Sequence, residues 1–348
     1  MLFFWGISYF IEPLIFAAVL ALMVGLAPIM GKVPKGEKGL KAFMGVTLVA
    51  YVLLLYAGYL VLANFVGFSA TLLGFTVFVL AFAVGQWLIA PWLINLMYRV
   101  KPAEREAPWL QEIVNSLAFK AGFKKPPKAV VASVNVPNAF AYGNFLTGKY
   151  VAVTEGLLRS LPREEVEAVI GHELGHHKHR DVWLILALSL APMFIYYLGR
   201  VLVDWGFISG TVSRDERDNS GSLMMIAGLA LLAIGIALNF VLLQFNRLRE
   251  YYADLHGARL KGKRAMQRAL AGIHLEFEKI KHNPVLQREL QSFVDSPAKL
   301  LFIYAFAEPF YDLDEVVEQL KREKTNPIME IFMSHPPIPK RLRFLDTV

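Results

Sequence analysis

Five apolar runs, Leu2 to Val24, Phe43 to Val66, Ala70 to Ala90, Val182 to Leu202 and Leu223 to Phe245, each have about the length a helix needs to cross a bilayer. The hydrocarbon is roughly 30 Å thick and a helix rises about 1.5 Å per residue, so about 20 apolar residues suffice. None of the runs reads as an amphipathic stripe. Helices are one of only two backbone arrangements that satisfy their own hydrogen bonds in lipid. The expected fold is therefore an α-helical integral-membrane protein, and an apolar fraction of 55% agrees with it. The first run lacks a basic segment before it and a small-residue cleavage site after it, so it reads as a retained spanning helix rather than a signal peptide.

The net charge of +7 does not point to nucleic acid, because the basic residues sit at the ends of the apolar runs. Lys32, Lys35, Lys38 and Lys41 fill the first connection, Arg99, Lys101 and Arg105 follow the third run, Lys178 and Arg180 precede the fourth, and Arg247 and Arg249 follow the fifth. Basic flanks of this kind stay cytoplasmic beside anionic lipid. With Met1 outside, the region from Arg99 to Asp181 and everything after Phe245 lie on the inner face. The fourth and fifth runs either cross the bilayer or form a buried hairpin, and both choices preserve that parity. The chain then divides into residues 1–98, the N-terminal membrane helices and basic connection; 99–181, the first part of a cytoplasmic domain; 182–245, two further membrane helices or a membrane hairpin; and 246–348, the second part of that domain.

Within the polar regions, Ala107 to Ala121 reads as a helix ended near Gly122. Lys128 to Val134 and Tyr150 to Val153 read as short strands around the Asn- and Gly-rich stretch Asn135 to Gly148. Pro162 can open a helix with Glu164 and Glu165 in its acidic first turn. Arg249 to Leu260 suits a helix, and Lys263 to Ile280 continues or follows it after Gly262. Leu300 to Ala307 is too short for a sixth crossing and reads as core or as a piece lying at the interface. Asp312 to Lys321 has the pattern of a surface helix.

The segment Gly171-His172-Glu173-Leu174-Gly175-His176 carries the chemistry. Residues four apart share one face of a helix, so His172 and His176 can present nitrogen atoms to one zinc ion. Glu173 is then the general base on the water that the metal acidifies. With no cysteine in the chain, any metal here is held by nitrogen and oxygen. Two histidines do not complete a catalytic zinc site, and Glu250 is the third ligand expected. It heads Glu250-Tyr251-Tyr252-Ala253-Asp254, which places two carboxylates on one side of a helix, with Asp254 expected to receive a hydrogen bond from the far nitrogen of His172. For either carboxylate alone the plain alternative is a solvated acidic face. His177 and His179 point elsewhere around the helix and read as surface or supporting residues, while His256, His274 and His282 read as polar surface or satisfied core. Asp181 could replace Glu250 only through a local turn or helix bend.

These segments, together with Asn138-Ala139-Phe140-Ala141-Tyr142-Gly143, Arg249-Glu250-Tyr251-Tyr252-Ala253-Asp254 and Ser334-His335-Pro336-Pro337, resemble the HtpX-type membrane metalloproteases and, more broadly, the CAAX prenyl endopeptidases. The likeness spans most of the chain. It implies a predominantly helical cytoplasmic zinc-metalloprotease domain with a small β-sheet, one catalytic Zn2+, and cleavage of membrane or unfolded polypeptides at the cell membrane. It assigns His172, His176 and Glu250 to zinc, Glu173 to catalysis and His335 to the substrate or transition-state shell, where an imidazole in a proline-bounded turn could donate to the developing oxyanion. It makes Asn138, Ala139, Phe140, Ala141 and Tyr142 an edge that takes an extended substrate by backbone pairing. Arg247 is either an anchor for substrate or an interfacial charge, and Asn246 departs from the commoner Ser of that segment. The competing functions are a prenyl-peptide endopeptidase and a non-catalytic, zinc-stabilised membrane scaffold.

Overall fold

The computed structural model describes residues 6–66, 70–212, 219–281 and 313–348. The apolar segment Leu300 to Ala307, His282, the link Gly67 to Ser69 and the charged residues Arg214 to Asp218 lie outside them. Helices α1 (Gly6–Met30), α2 (Gly36–Val61) and α3 (Ala70–Met97) come first, α2 running into a wider turn at Leu62–Val66. The polar region follows: β1 (Val100–Pro102), α4 (Ala103–Glu106), α5 (Pro108–Lys120), β2 (Lys128–Ala132), β3 (Ala139–Asn144), β4 (Gly148–Thr154), α6 (Glu155–Ser160) and α7 (Arg163–Lys178). Two long helices, α8 (Asp181–Val212) and α9 (Ser220–Lys261), return the chain to α10 (Lys263–Lys281), α11 (Leu313–Arg322), α12 (Pro327–Glu330) and α13 (Ile338–Asp346).

The five apolar runs fall in long helices over the described residues. Three stretches, Glu12–Met30, Gly36–Asn64 and Ser220–Lys261, are long and apolar enough to cross a membrane. The chain is a multi-pass membrane protein. Helices α8 and α9 pack antiparallel with backbones in near contact, since a Cβ on Gly199 would meet Gly228 O at 2.8 Å and one on Gly206 would meet Gly221 O at 2.6 Å. One charge within these helices is paired across the bundle: Arg200 of α8 lies 3.4 Å from Glu12 of α1, which also accepts from the Tyr196 hydroxyl. Such pairing is what an ionisable side chain at membrane depth requires.

Helix α9 has no break where the apolar run ends. The sequence predicts a membrane run to Phe245 and a separate helix from Arg249, whereas one 42-residue helix carries both. Nothing between Phe245 and Arg249 stops a helix, and Gly262 at φ 94° is the first residue that does. The polar end of a membrane helix thus becomes a rigid arm of the site.

The sheet has the order β1-β2-β4-β3, with β2 and β4 parallel and the other pairs antiparallel. Its core contains Val130 and Val131 of β2, Val151 and Val153 of β4, Leu110 and Leu117 of α5, and Val169 and Ile170 of α7. The three-residue β1 has no clear pattern of its own. In β3, Gly143 holds a φ of 124° beside Gly148, whose carbonyl oxygen would lie 2.0 Å from a Cβ there. Only glycine fits that approach.

Candidate active site

Helix α7 starts after Pro162 with Glu164 and Glu165 in its first turn and ends on His176, His177 and Lys178, the charge order that suits a helix dipole. It crosses α9 at small residues. A Cβ on Gly175 would stand 3.2 Å from Ala253 Cα, and one on Gly257 would meet Ala168 O at 2.9 Å and His172 N at 3.1 Å. This close crossing brings His172 and His176 against Glu250 and Asp254.

The Nε2 atoms of His172 and His176 lie 3.2 Å apart. Glu250 Oε2 is 3.6 Å from the first and its Oε1 is 3.5 Å from the second. Donors about 2.0–2.1 Å from a tetrahedral zinc are separated by about 3.4 Å, so the three side chains sit at the edges of a site of that size. Two imidazoles and a carboxylate are also a donor set typical of a catalytic zinc with one open position. His172, Glu173 and His176 each offer a donor atom within 4.8 Å of the other two.

Each histidine is backed by a carboxylate, and each carboxylate by an arginine. His172 Nδ1 lies 2.9 Å from Asp254 Oδ1, and Asp254 accepts from Arg341 Nε at 2.8 Å and Nη2 at 2.6 Å. His176 Nδ1 lies 2.7 Å from Asp181 Oδ2, which is 2.9 Å from Arg249 Nη2. Both Nδ1 atoms face carboxylates, which leaves both Nε2 atoms to face Glu250. Burial works against charge on His176, but the bond to Asp181 and the nearby Glu250 outweigh it and the net shift is upward.

Sequence reasoning missed Asp181 and Arg341 in these roles. Arg180 takes a φ of 58°, ending α7 and swinging Asp181 back under His176, on the side away from Glu250. An arginine in the left-handed region has no sequence signature. Arg341, fully buried in α13, meets Asp254 across 87 residues of chain. Its only sequence cue is a charge inside the otherwise apolar face of a short helix.

Glu173 is buried, and burial raises its pKa above the usual carboxylate range, opposed by the two histidines and by a backbone hydrogen bond from Ala141. That bond ties the catalytic helix to the edge strand. Thr154 N donates to Asn138 O. In the alternation of an antiparallel pair, Phe140 and Tyr142 then bond to β4, while Ala139, Ala141 and Gly143 turn their backbone groups to the open edge. The Tyr142 ring stacks on Tyr150, and Phe140 packs at a tilt against Tyr98 and Tyr142. The Tyr142 hydroxyl donates to Asn95 of α3 at 2.5 Å.

A cavity of about 470 Å³ lies over this edge. One wall is α3, with Trp87, Pro91, Ile94 and Met97; the floor holds His172, Glu173, His176 and Glu250. His335 lines it too, its Nδ1 3.1 Å from Glu250 Oε2. Two expected substrate contacts lie elsewhere. Asn138 is buried with its N–H on Thr154 Oγ1 at 2.8 Å, outside the cavity lining. Arg247 is buried under the His335 loop, donating to Glu330 O and, at 2.8 Å, to Met333 O, and it does not reach the cavity.

The other histidines divide by packing. His177 is buried with Nε2 2.8 Å from Tyr150 O, and burial pushes its pKa down to about 4. His179 packs edge-on against Tyr252 and His256, and His274 is buried in α10. None of these lines the cavity.

Residues 104–348 match the sequence profile of peptidase family M48. The chain is 46% identical to the protease HtpX homolog of Aeropyrum pernix over 87% of its own length and 96% of that protein. It is 42% identical to the protease HtpX homolog of Archaeoglobus fulgidus over 98% of both. The crystal structure of S. mikatae Ste24p shares the fold, with a TM-score of 0.53 and 21% identity, over 88% of this chain and 65% of that one.

Proposed function

The chain belongs to peptidase family M48, among its HtpX-type proteases, and from that premise we propose that His172, His176 and Glu250 hold one zinc ion with Glu173 as the general base. It is a zinc-dependent membrane metalloendopeptidase. The observation that carries the assignment is the near-tetrahedral spacing of three donors beside a buried carboxylate that receives a backbone hydrogen bond from an open strand edge.

Zinc at this position supplies Lewis acidity, which polarises a peptide carbonyl and lets water act as a nucleophile near neutral pH. Glu173 takes the proton from the attacking water and returns it to the leaving nitrogen, a shuttle that a raised carboxylate pKa favours. His335, at the rim of the same cavity, donates to the oxyanion. Asp254 and Asp181 hold the two imidazoles in one tautomer and orientation.

Substrate lies extended along β3, pairing with the outward backbone groups of Ala139 and Gly143 and the carbonyl of Ala141, whose N–H donates to Glu173. Main-chain pairing tolerates varied sequence, and the apolar α3 wall suits segments released from membrane or misfolded proteins. The site faces the cytoplasm, because Lys32, Lys35 and Lys38 flank the spans on its side. The four blocks 1–98, 99–181, 182–245 and 246–348 then act as two membrane parts and two halves of one catalytic body.

Purified Glu173→Gln tests the mechanism: bound zinc stays stoichiometric while cleavage of an unfolded membrane protein falls by about 10²–10⁴-fold, the usual contribution of a general base. Undiminished cleavage sinks it. Glu250→Ala loses metal and activity together, and full zinc affinity in that variant removes Glu250 from the ligand set. Matched prenylated and unmodified peptides separate the two substrate classes, since a strict prenyl requirement excludes the unfolded-protein reading.

A further inference from the structure

The short turn around α12, just ahead of His335, sits beside the membrane spans rather than on the polar domain. Ile331 is buried in a cluster with Val19, Met23 and Ala27 of α1 and Ile236 and Phe240 of α9. The Phe332 ring lies 5.8 Å from that of Phe240. Phe240 precedes Arg247, the first charge of its helix, by seven residues, or about 10 Å of helix rise. On α1 no charge occurs between Glu12 and Lys32. The turn therefore reaches from the charged ends of α1 and α9, at Gly31 and Arg247, into their uncharged stretch through Ile331 and Phe332.

Past the exposed Asn326, its outer face is apolar and exposed among the described residues. Ile328, Met329 and Phe332 are 45%, 63% and 47% exposed, and none of them lines the catalytic cavity. Most of the turn's described polar groups are paired within the protein, Glu330 Oε1 being buried without a partner. Arg247 takes the carbonyls of Glu330 and Met333, Asn326 Oδ1 accepts from Ile328 N at 3.0 Å, and Lys340 joins Glu330 Oε2 at 2.6 Å to the last carbonyl of the α1 turn at Gly31. Glu330 N, Phe332 N and Met333 N all bond within the turn. Irregular backbone at membrane depth needs this internal accounting, whereas a water-exposed turn does not.

We infer that the turn from Asn326 to Met333 is a re-entrant element seated in the bilayer, with Ile328, Met329 and Phe332 against phospholipid acyl chains. Continuity with the spanning cluster selects lipid as the occupant. Arg247 then secures this anchor to the membrane helix, and the anchor sets where His335 stands two residues later; the catalytic weight of that consequence rests on the role proposed for His335.

The chain has no cysteine, so single nitroxide labels read the environment directly. Met329→Cys and Ile328→Cys, labelled in the full-length protein in phosphatidylcholine liposomes, are compared with Leu53→Cys on the exposed face of α2 and Glu318→Cys on α11. Both test sites are expected to collide severalfold more with oxygen than with a water-soluble nickel chelate, as Leu53 does. A ratio like that of Glu318 overturns the inference. Weak collision with both reagents means that protein covers the face, and overturns it as well.

Discussion

The two halves of the metal cluster share a design and differ in enclosure. On the His172 side, Asp254 and Arg341 are fully buried and joined by two short hydrogen bonds. On the His176 side, Asp181 meets Arg249 through one 2.9 Å contact, and both residues border the cavity. The His176 side chain itself is 13% exposed against 2% for His172. One half is packed into the join between α7, α9 and α13, and the other borders the cavity. A ligand held in a dry, fully paired network is rigid, whereas one at the cavity rim can adjust.

The sharpest way to break this contrast is to remove each arginine. Arg341→Met leaves the fully buried Asp254 carboxylate with His172 as its one remaining described partner and closed off from solvent, so unfolding in detergent is expected about 3–5 kcal/mol easier, the usual cost of breaking a buried charge pair. Arg249→Met leaves Asp181 bonded to His176 beside a cavity that water enters, and costs about 1–3 kcal/mol, the range for one charged hydrogen bond. Denaturation of the two variants side by side checks the order. Equal losses mean that enclosure does not distinguish the halves.

A smaller effect sharpens it. Replacing the supporting carboxylate of a metal-bound histidine commonly costs 10–100-fold in affinity, roughly 1.4–2.7 kcal/mol. Asp254→Asn is expected near the upper end, because it leaves buried Arg341 with only Glu250, at 3.6 Å, as a counter-charge and also loosens His172. Asp181→Asn is expected near the lower end, since Arg249 also reaches Asn246 Oδ1. Zinc competition against a chelator, together with circular dichroism to confirm folding, measures both. A greater loss at Asp181 reverses the assignment of the rigid half.

How much of this was legible in the sequence follows from the range of each interaction. The apolar runs and the four-residue spacing of His172 with His176, and of Glu250 with Asp254, are local periodicities, and helices preserve them. The placing of Asp181 depends on the backbone of Arg180, and that of Arg341 on a contact spanning 87 residues, and neither leaves a period. Arg247 shows the other limit. A charge at the end of an apolar run is read as interfacial or substrate-binding, yet here its guanidinium supplies donors that a turn packed against membrane helices needs. The edge strand was legible only as a resemblance, because its Gly- and Asn-containing stretch lacks strand alternation, and β1 is too short to carry a pattern.

The open half extends through β3 to α3, where the smallest effect is expected. The Tyr142 hydroxyl and Asn95 Oδ1 stitch the edge strand to the cavity's outer wall, and Asn144 Nδ2 adds bonds to the carbonyls of Trp87 and Leu88. Tyr142→Phe removes one bond of that set and keeps the ring stack with Tyr150, so stability is expected to fall by only about 1 kcal/mol. If β3 receives substrate by backbone pairing, the loosened edge binds peptide less well while the zinc half is untouched. KM should then rise a few-fold with kcat held, the signature of a lost uniform binding term. A fall in kcat at constant KM instead places Tyr142 in the chemical step, and the open wall could no longer be separated from the reacting centre.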